Sequence, residues 1–346
     1  MTAAAPPADP RPDPARPGPA RPDPVRIAVL GCADIARRRM LPAFVASPDV
    51  EITAVAGRSA ERAKELAERF GCRAMTGYET ALADDEVRAV YVPLPAALHA
   101  TWVERALLAG KHVLAEKPLS LSLPESRTLT RLAAERGLAL MENVMFVHHA
   151  QHEAVRGLLA DGAIGELRAF QAAFTVPRLD ADDIRYRPEL GGGALTDTGV
   201  YPVRAALHLL GPDLEVAGAH LARGAGFAVD TAGAALLRDG RGVGAQLTFG
   251  LDHAYRNTYE LWGSTGRITV DRAFTPPADH RPVIRLENRD GVREVALAPD
   301  DQVANTVAAF VTAVRTQAPP SDTILHQARL LDEIRGHANP REGTER

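Results

Sequence analysis

The stretch Val25-Arg26-Ile27-Ala28-Val29-Leu30-Gly31-Cys32-Ala33-Asp34-Ile35-Ala36 decides how the rest of the chain is read. Its first six residues are apolar and rich in β-branched side chains, as a strand buried on both faces requires. They run directly into a glycine and then into a helical pattern. Strand, glycine turn and helix N-terminus together present free backbone N–H groups and a positive dipole end to a pyrophosphate. Gly31 holds the first place of the G-x-G-x-x-G spacing, and Ala33 and Ala36 hold the other two. One glycine also occurs in ordinary βα turns, so the unit takes its meaning from its neighbours. Pro42 is expected to shorten or kink the helix.

Glu51-Ile52-Thr53-Ala54-Val55-Ala56 reads as the next strand and ends in Gly57-Arg58-Ser59, with Arg62 one turn further on. An acidic side chain at this place would bond a ribose 2′-hydroxyl and repel a 2′-phosphate. A guanidinium and a hydroxyl bind that phosphate instead. The pattern favours NADP(H); the alternative is that Arg58 and Arg62 are solvated surface cations. Ala89-Val90-Tyr91-Val92 ends in Pro93-Leu94-Pro95, with His99 just beyond and a helix around 102–108. His112-Val113-Leu114-Ala115 ends in Glu116-Lys117-Pro118, and a helix over 124–136 follows. A strand over 138–141 then ends in Glu142-Asn143. Strands alternating with helices predict an α/β Rossmann domain, a doubly wound parallel sheet, over 25–147. Ligands of such sheets lie beyond the strand C-termini. The cofactor candidates are therefore Gly31, Cys32, Ala33, Asp34, Ile35, Arg58, Ser59, Arg62, Pro93, Leu94, Pro95, His99, Glu116, Lys117 and Asn143.

The pattern changes over 148–346. After a helix over 152–159 come strand-like runs at 166–176, 232–237, 244–249, 259–262 and 267–270, with turn signals at Asp239-Gly240 and Ser264-Thr265-Gly266. The run at 232–237 is the weakest, since alanine and glycine are poor strand formers. Helices are expected over 200–210, 303–316 and 323–334, with a frayed tail after Gly336. The prediction is an α+β substrate and oligomerisation domain on an open, largely antiparallel sheet, whose exposed face suits a homodimer or homotetramer. The charged loop 177–190 precedes Gly191-Gly192-Gly193 and is a candidate substrate lid. Its Arg185 and Arg187 are candidates to meet a diphosphate.

Composition excludes other classes. The formal charge of -4 over 346 residues offers no basic excess for nucleic acid, and no run of ~18 apolar residues suits a membrane span. Two cysteines cannot build a disulfide framework or a four-cysteine zinc site. His148 and His152 stand at a spacing metals use, but no third ligand follows, so no metal is expected. These histidines are expected to cap or line the cleft between domains. Cys32 is expected to pack as a small residue, although a helix N-terminus lowers a thiol pKa. Nine of the 26 prolines precede Val25. Residues 1–24 lack bulky apolar side chains and any apolar signal core, so they read as a disordered extension of a cytoplasmic protein.

Three stretches carry a family resemblance: the Gly31 turn, Glu116-Lys117-Pro118 after its strand, and Gly192-Gly193-Ala194-Leu195-Thr196-Asp197-Thr198-Gly199-Val200-Tyr201. Together they resemble the Gfo/Idh/MocA oxidoreductases over nearly the whole chain from Val25 to about Arg335. Within that family, Gly31-Cys32-Ala33-Asp34-Ile35-Ala36, Glu142-Asn143-Val144-Met145-Phe146 and Asp197-Thr198-Gly199-Val200-Tyr201-Pro202 are most similar to nucleotide-sugar C-3 ketoreductases of deoxysugar biosynthesis. The resemblance implies reduction of a 3-keto sugar carried on thymidine diphosphate, with NADPH, and a cis Lys117–Pro118 bond. It also implies an Asp-x-x-x-His pair on the helix opening the second half. Here Tyr201 stands in the histidine place, which weakens any carry-over from the inositol dehydrogenases.

Ketone reduction needs a proton donor or a group to hold the developing oxyanion. Lys117 is the candidate cation and Tyr201 the candidate proton donor, its pKa near ~10 eased down by a nearby ammonium. Asp197 shares a helical face with Tyr201 and either orients Lys117, bonds a sugar hydroxyl, or serves as an N-cap. Two alternatives stay open: an NADP-dependent dehydrogenase of a free sugar, polyol or dihydrodiol, and a non-catalytic NADP-binding regulator. The pair Lys117 and Tyr201 argues against the regulator.

Overall fold

The computed structural model describes residues 22–338. The expectation of a disordered N-terminal extension falls almost wholly outside them. Six parallel strands build the first sheet: β1 (Val25–Leu30), β2 (Val50–Gly57), β3 (Arg73–Thr76), β4 (Ala89–Val92), β5 (His112–Glu116) and β6 (Leu140–Asn143). Their order is β3-β2-β1-β4-β5-β6. The strand order reverses between β1 and β4, and a crevice opens beyond the C-terminal ends of strands at such a point. Gly31, Pro93 and Lys117 all follow strands at that edge.

Local chemistry explains the elements. Ser59 caps the helix Ala60–Phe70 by accepting from the Arg62 N–H at 3.3 Å. Ser122 does the same for Leu123–Glu135, with Glu125 in its first turn. Helical backbone runs without a break over 34–46, and Pro42 stands in the α-helix Leu41–Ala46 just after a π-helical turn, Ala36–Met40; the departure from α geometry lies beside the proline.

The second sheet has eight strands: β7 (Leu167–Thr175), β8 (Leu214–Ala222), β9 (Ala232–Asp239), β10 (Gly244–Gly250), β11 (Arg256–Gly263), β12 (Gly266–Asp271), β13 (Val283–Asn288) and β14 (Gly291–Ala296). Their order is β14-β13-β12-β11-β7-β10-β9-β8. All neighbours are antiparallel except β7 and β10, which run parallel through the middle. One face is covered by the helices Val200–Leu210 and Thr323–Ala338; the last helix runs on to Ala338, past the expected fraying point.

The alanine- and glycine-rich β9 is an interior strand despite its poor propensity. Its small residues make room for Phe249, which is fully buried: a Cβ on Gly233 would lie 2.3 Å from the Phe249 ring. The same ring also meets Gly199, where a Cβ would lie 3.1 Å away. Gly233→Ala is therefore expected to push the ring toward the turn that carries Asp197, at a cost of about 1–3 kcal/mol. Urea unfolding of that variant, with midpoint and slope compared to the parent, checks this.

Apolar packing crosses the sequence partition at 147/148. The helix Gln302–Thr316 lies in the second part of the chain, yet Val303, Val307, Phe310 and Val311 are buried in the core of the first sheet, with Val29, Met40, Leu41 and Phe44.

Candidate active site

A cleft of about 1020 Å³ opens along the seam between the two sheets. Every cofactor candidate from the sequence lines it: Gly31, Cys32, Ala33, Asp34, Ile35, Arg58, Ser59, Arg62, Pro93, Leu94, Pro95, His99, Glu116, Lys117 and Asn143. So do Asp197, Tyr201 and Arg185. Arg187 does not; its guanidinium lies 3.8 Å from Glu189 on the exposed side of the loop.

At the phosphate end, Gly31 has φ +130°, a conformation only glycine adopts freely, and a Cβ there would lie 3.0 Å from the Leu94 side chain. The bare backbone of Gly31 thus lines a cradle that a side chain would fill. Arg58 reaches the Tyr78 hydroxyl, and Tyr78 packs edge-on against Trp102 at 4.7 Å. Arg62 spans back to the Cys32 carbonyl at 3.4 Å. The Ser59 oxygen accepts the cap bond and keeps its O–H to donate. Three residues able to bind a 2′-phosphate therefore surround the mouth of the cleft, and no carboxylate takes the place beside them. Cys32 packs against Gly57, and burial raises its thiol above the usual range, outweighing Arg62. The dipole effect weighed from the sequence does not win.

The inner end is a half-buried charge cluster. The Lys117–Pro118 bond is cis. Lys117 Nζ donates to the Asp197 carbonyl and to Asp197 Oδ1, both at 2.8 Å. The other carboxylate oxygen accepts from Arg185 Nε at 2.9 Å, and Arg185 also bonds Asp183. Asp197 lies inside a π-helical turn, Leu195–Gly199, with its own N–H bonded to Gly193, so the N-cap alternative is not what the structure shows. That first turn is held from across the chain by Asp230, which accepts from the Leu195 N–H at 2.7 Å. Gly192 lets the loop close on itself, since a Cβ there would lie 2.4 Å from the Arg185 carbonyl. The loop 177–190 forms one wall of the cleft and is pinned by Tyr186, whose hydroxyl donates to the Leu251 carbonyl at 2.8 Å.

The charges sustain one another. Burial alone would raise the Asp197 carboxyl; Lys117 and Arg185 overcome it and hold the group below the usual carboxylate range. Burial works against the Lys117 ammonium, but Asp197 and Tyr201 raise it above the usual lysine value. Both groups are charged at neutral pH. Tyr201 stands beside them, its ring centroid 5.2 Å from Lys117 Nζ and packed on Phe174 and Phe274. Its hydroxyl departs from the sequence expectation: burial pushes it up by more than the Lys117 ammonium pulls it down. The phenol is thus firmly protonated.

His99 bridges the two loops of the crevice, with Nδ1 2.7 Å from the Pro118 carbonyl and Nε2 2.6 Å from that of Leu94. Asn143 and Tyr91 both donate to Glu116 Oε1 at 2.6 Å. The other histidines leave the cleft. His149 caps the helix Ala150–Ala160, and His152 is buried between the Tyr259 hydroxyl and the Ala273 carbonyl, its pKa pulled down to about 3 by burial. Sequence reasoning missed Tyr78, Phe174, Phe274 and Gln302 as cleft residues. They come from separate elements and share no local pattern.

The model of an oxidoreductase family with an NAD-binding Rossmann fold, Gfo/Idh/MocA, matches residues 25–144, and that family's C-terminal domain matches 152–269. The chain belongs to the Gfo/Idh/MocA oxidoreductases. Among its relatives in that family is a dTDP-3,4-didehydro-2,6-dideoxy-alpha-D-glucose 3-reductase of Streptomyces violaceoruber, 54% identical over 91% of this chain and 96% of its own. A crystal structure of KijD10, a 3-ketoreductase from Actinomadura kijaniata in complex with NADP and TDP-benzene, superposes with a TM-score of 0.89 at 51% identity, covering 91% of this chain and 98% of that one. KijD10 has also been solved with a tyrosine replaced by phenylalanine and with a lysine replaced by alanine. Those two positions lie as far apart in its chain as Lys117 and Tyr201 do here. Among the described residues, no helix is long and apolar enough to cross a membrane.

Proposed function

We propose that this family member is an NADPH-dependent 3-ketoreductase acting on a keto-deoxysugar carried on thymidine diphosphate, in deoxysugar assembly for antibiotics in the cytoplasm. The observation that carries the reading is the half-buried Lys117–Asp197–Arg185 cluster, with the Tyr201 phenol beside it, at the inner end of a cleft whose mouth holds Arg58, Ser59 and Arg62. The named relatives support the same substrate class. The bound cofactor would supply a hydride to the carbonyl carbon; the Gly31 cradle and the Arg58 group fit its phosphates. Asp197 fixes the Lys117 ammonium. That ammonium stabilises negative charge growing on the substrate oxygen in a site shielded from water. The Tyr201 hydroxyl is a proton source within the same cluster.

The test is a turnover screen with NADPH, pairing thymidine-diphosphate-linked 3-keto sugars with free keto sugars at equal concentration. Turnover at least about a hundredfold greater on the nucleotide-linked series is expected. Equal turnover on free sugars would return the assignment to a free-sugar or polyol dehydrogenase.

We also propose a homodimer or homotetramer through the open face of the eight-stranded sheet, where Leu236 and Trp262 are exposed. Light scattering on the purified chain is expected to give a multiple of 37.0 kDa, and Leu236→Arg is expected to lower it.

A further inference from the structure

We propose that Arg204, Glu142 and Gln327 are positioning residues: a buried polar bolt that sets the distance between Lys117 and Tyr201 across the domain seam. The proposal rests on the catalytic reading of those two residues given above.

Glu142 sits in β6 of the first sheet. Its Oε1 accepts from the Leu119 backbone N–H at 2.9 Å and from Gln327 Nε2 at 2.6 Å. Its Oε2 pairs with the Arg204 guanidinium, and Arg204 Nε donates to Gln327 Oε1 at 2.7 Å. Leu119 is two residues beyond Lys117, and Arg204 is one helical turn beyond Tyr201. One carboxylate therefore grips the loop that carries the lysine and, through the arginine, the helix that carries the tyrosine. Gln327, from the C-terminal helix, closes the triangle.

The side chains of Glu142 and Arg204 are 1% and 9% exposed. An ion pair so buried gives weak net stability, because desolvation offsets most of its attraction, and apolar residues of like volume often serve folding as well. Its directional bonds do what apolar packing does not: they admit one register between the two elements. Lys117 follows a strand of the first sheet and Tyr201 lies on a helix packed on the second, and about 1 Å of slip between reacting groups costs up to a hundredfold in rate.

The variants are the charge-neutral double Glu142→Gln/Arg204→Met, and Gln327→Leu, which removes no charge and keeps the protein assayable where the double variant unfolds. The double variant is expected to lose ten- to a hundredfold in kcat, and Gln327→Leu three- to tenfold, with NADPH Kd and substrate KM within about twofold. Each loss is expected to vanish in a Lys117→Ala background, because the bolt acts through that lysine. Wild-type kcat in a folded double variant, or in Gln327→Leu where the double variant unfolds, overturns the proposal. So does an equal loss with and without Lys117, which marks a role in folding alone. An unaffected Lys117→Ala enzyme would instead overturn the catalytic reading itself, so the two failures are told apart.

Discussion

Lys117→Ala is expected to lower kcat by about a thousandfold or more while NADPH binds within about twofold of the parent. One preorganised donor to a developing oxyanion is worth about 10²–10³ in kcat, and Lys117 is such a donor with a full charge, its side chain only 13% exposed. Its loss also leaves Asp197 held by Arg185 alone. The residues proposed to hold the cofactor's phosphates are others, Gly31 and Arg58 among them, so binding there is expected to be untouched. Tyr201→Phe is expected to cost less, about ten- to a hundredfold, because the adjacent ammonium also has protons to give. Saturating turnover and fluorescence titration of NADPH measure both effects. Full activity in both variants would remove the proposed chemistry, and a larger loss from Tyr201→Phe would assign the proton to the phenol alone.

The second large effect concerns cofactor choice. Arg58→Glu is expected to lower kcat/KM for NADPH by about a hundredfold and to leave that for NADH within a few-fold. A hydrogen bond to a charged group contributes about 1.5–3 kcal/mol, and each 1.4 kcal/mol is tenfold. The introduced carboxylate adds repulsion to a 2′-phosphate while offering an acceptor to a 2′-hydroxyl. Tyr78, now without its Arg58 partner, keeps its packing against Trp102, so the fold is expected to hold. Steady-state kinetics with both cofactors decide the point; a parent enzyme indifferent to the two would void the Arg58 argument.

Much of this was readable from residues whose signal is local. The run 25–30 is apolar without interruption, and Gly31 follows it, so strand and turn declare themselves. Arg73–Thr76 escaped because an edge strand with mostly exposed side chains carries no apolar signature. Gly291–Ala296 escaped for the same reason. Leu214–Ala222 is an edge strand whose alternation is blurred by a register shift between Val216 and Gly218. In the site, Lys117 and Asp197 were legible as motifs and a contact between them stood among the readings, but the sequence could not choose it over an N-cap, since one residue follows β5 and the other lies in a turn eighty residues on. Nor did the sequence separate Arg185 from Arg187. Only the closure of the loop on Gly192 turns one inward and the other toward solvent. The direction of the Tyr201 shift was likewise beyond reach, because burial and a neighbouring cation pull oppositely and only packing decides between them.

The helix Gln302–Thr316, buried against Met40, Leu41 and Phe44, has a consequence for how the molecule is made. On the ribosome, the nucleotide-binding sheet emerges first, yet its apolar flank stays open until more than three hundred residues have been synthesised. The nascent chain must keep that flank from wrong partners while the whole second sheet is still being built. A chain truncated before Val303 is left with a sticky surface in place of a working first half, and quality control has an exposed feature by which to remove it.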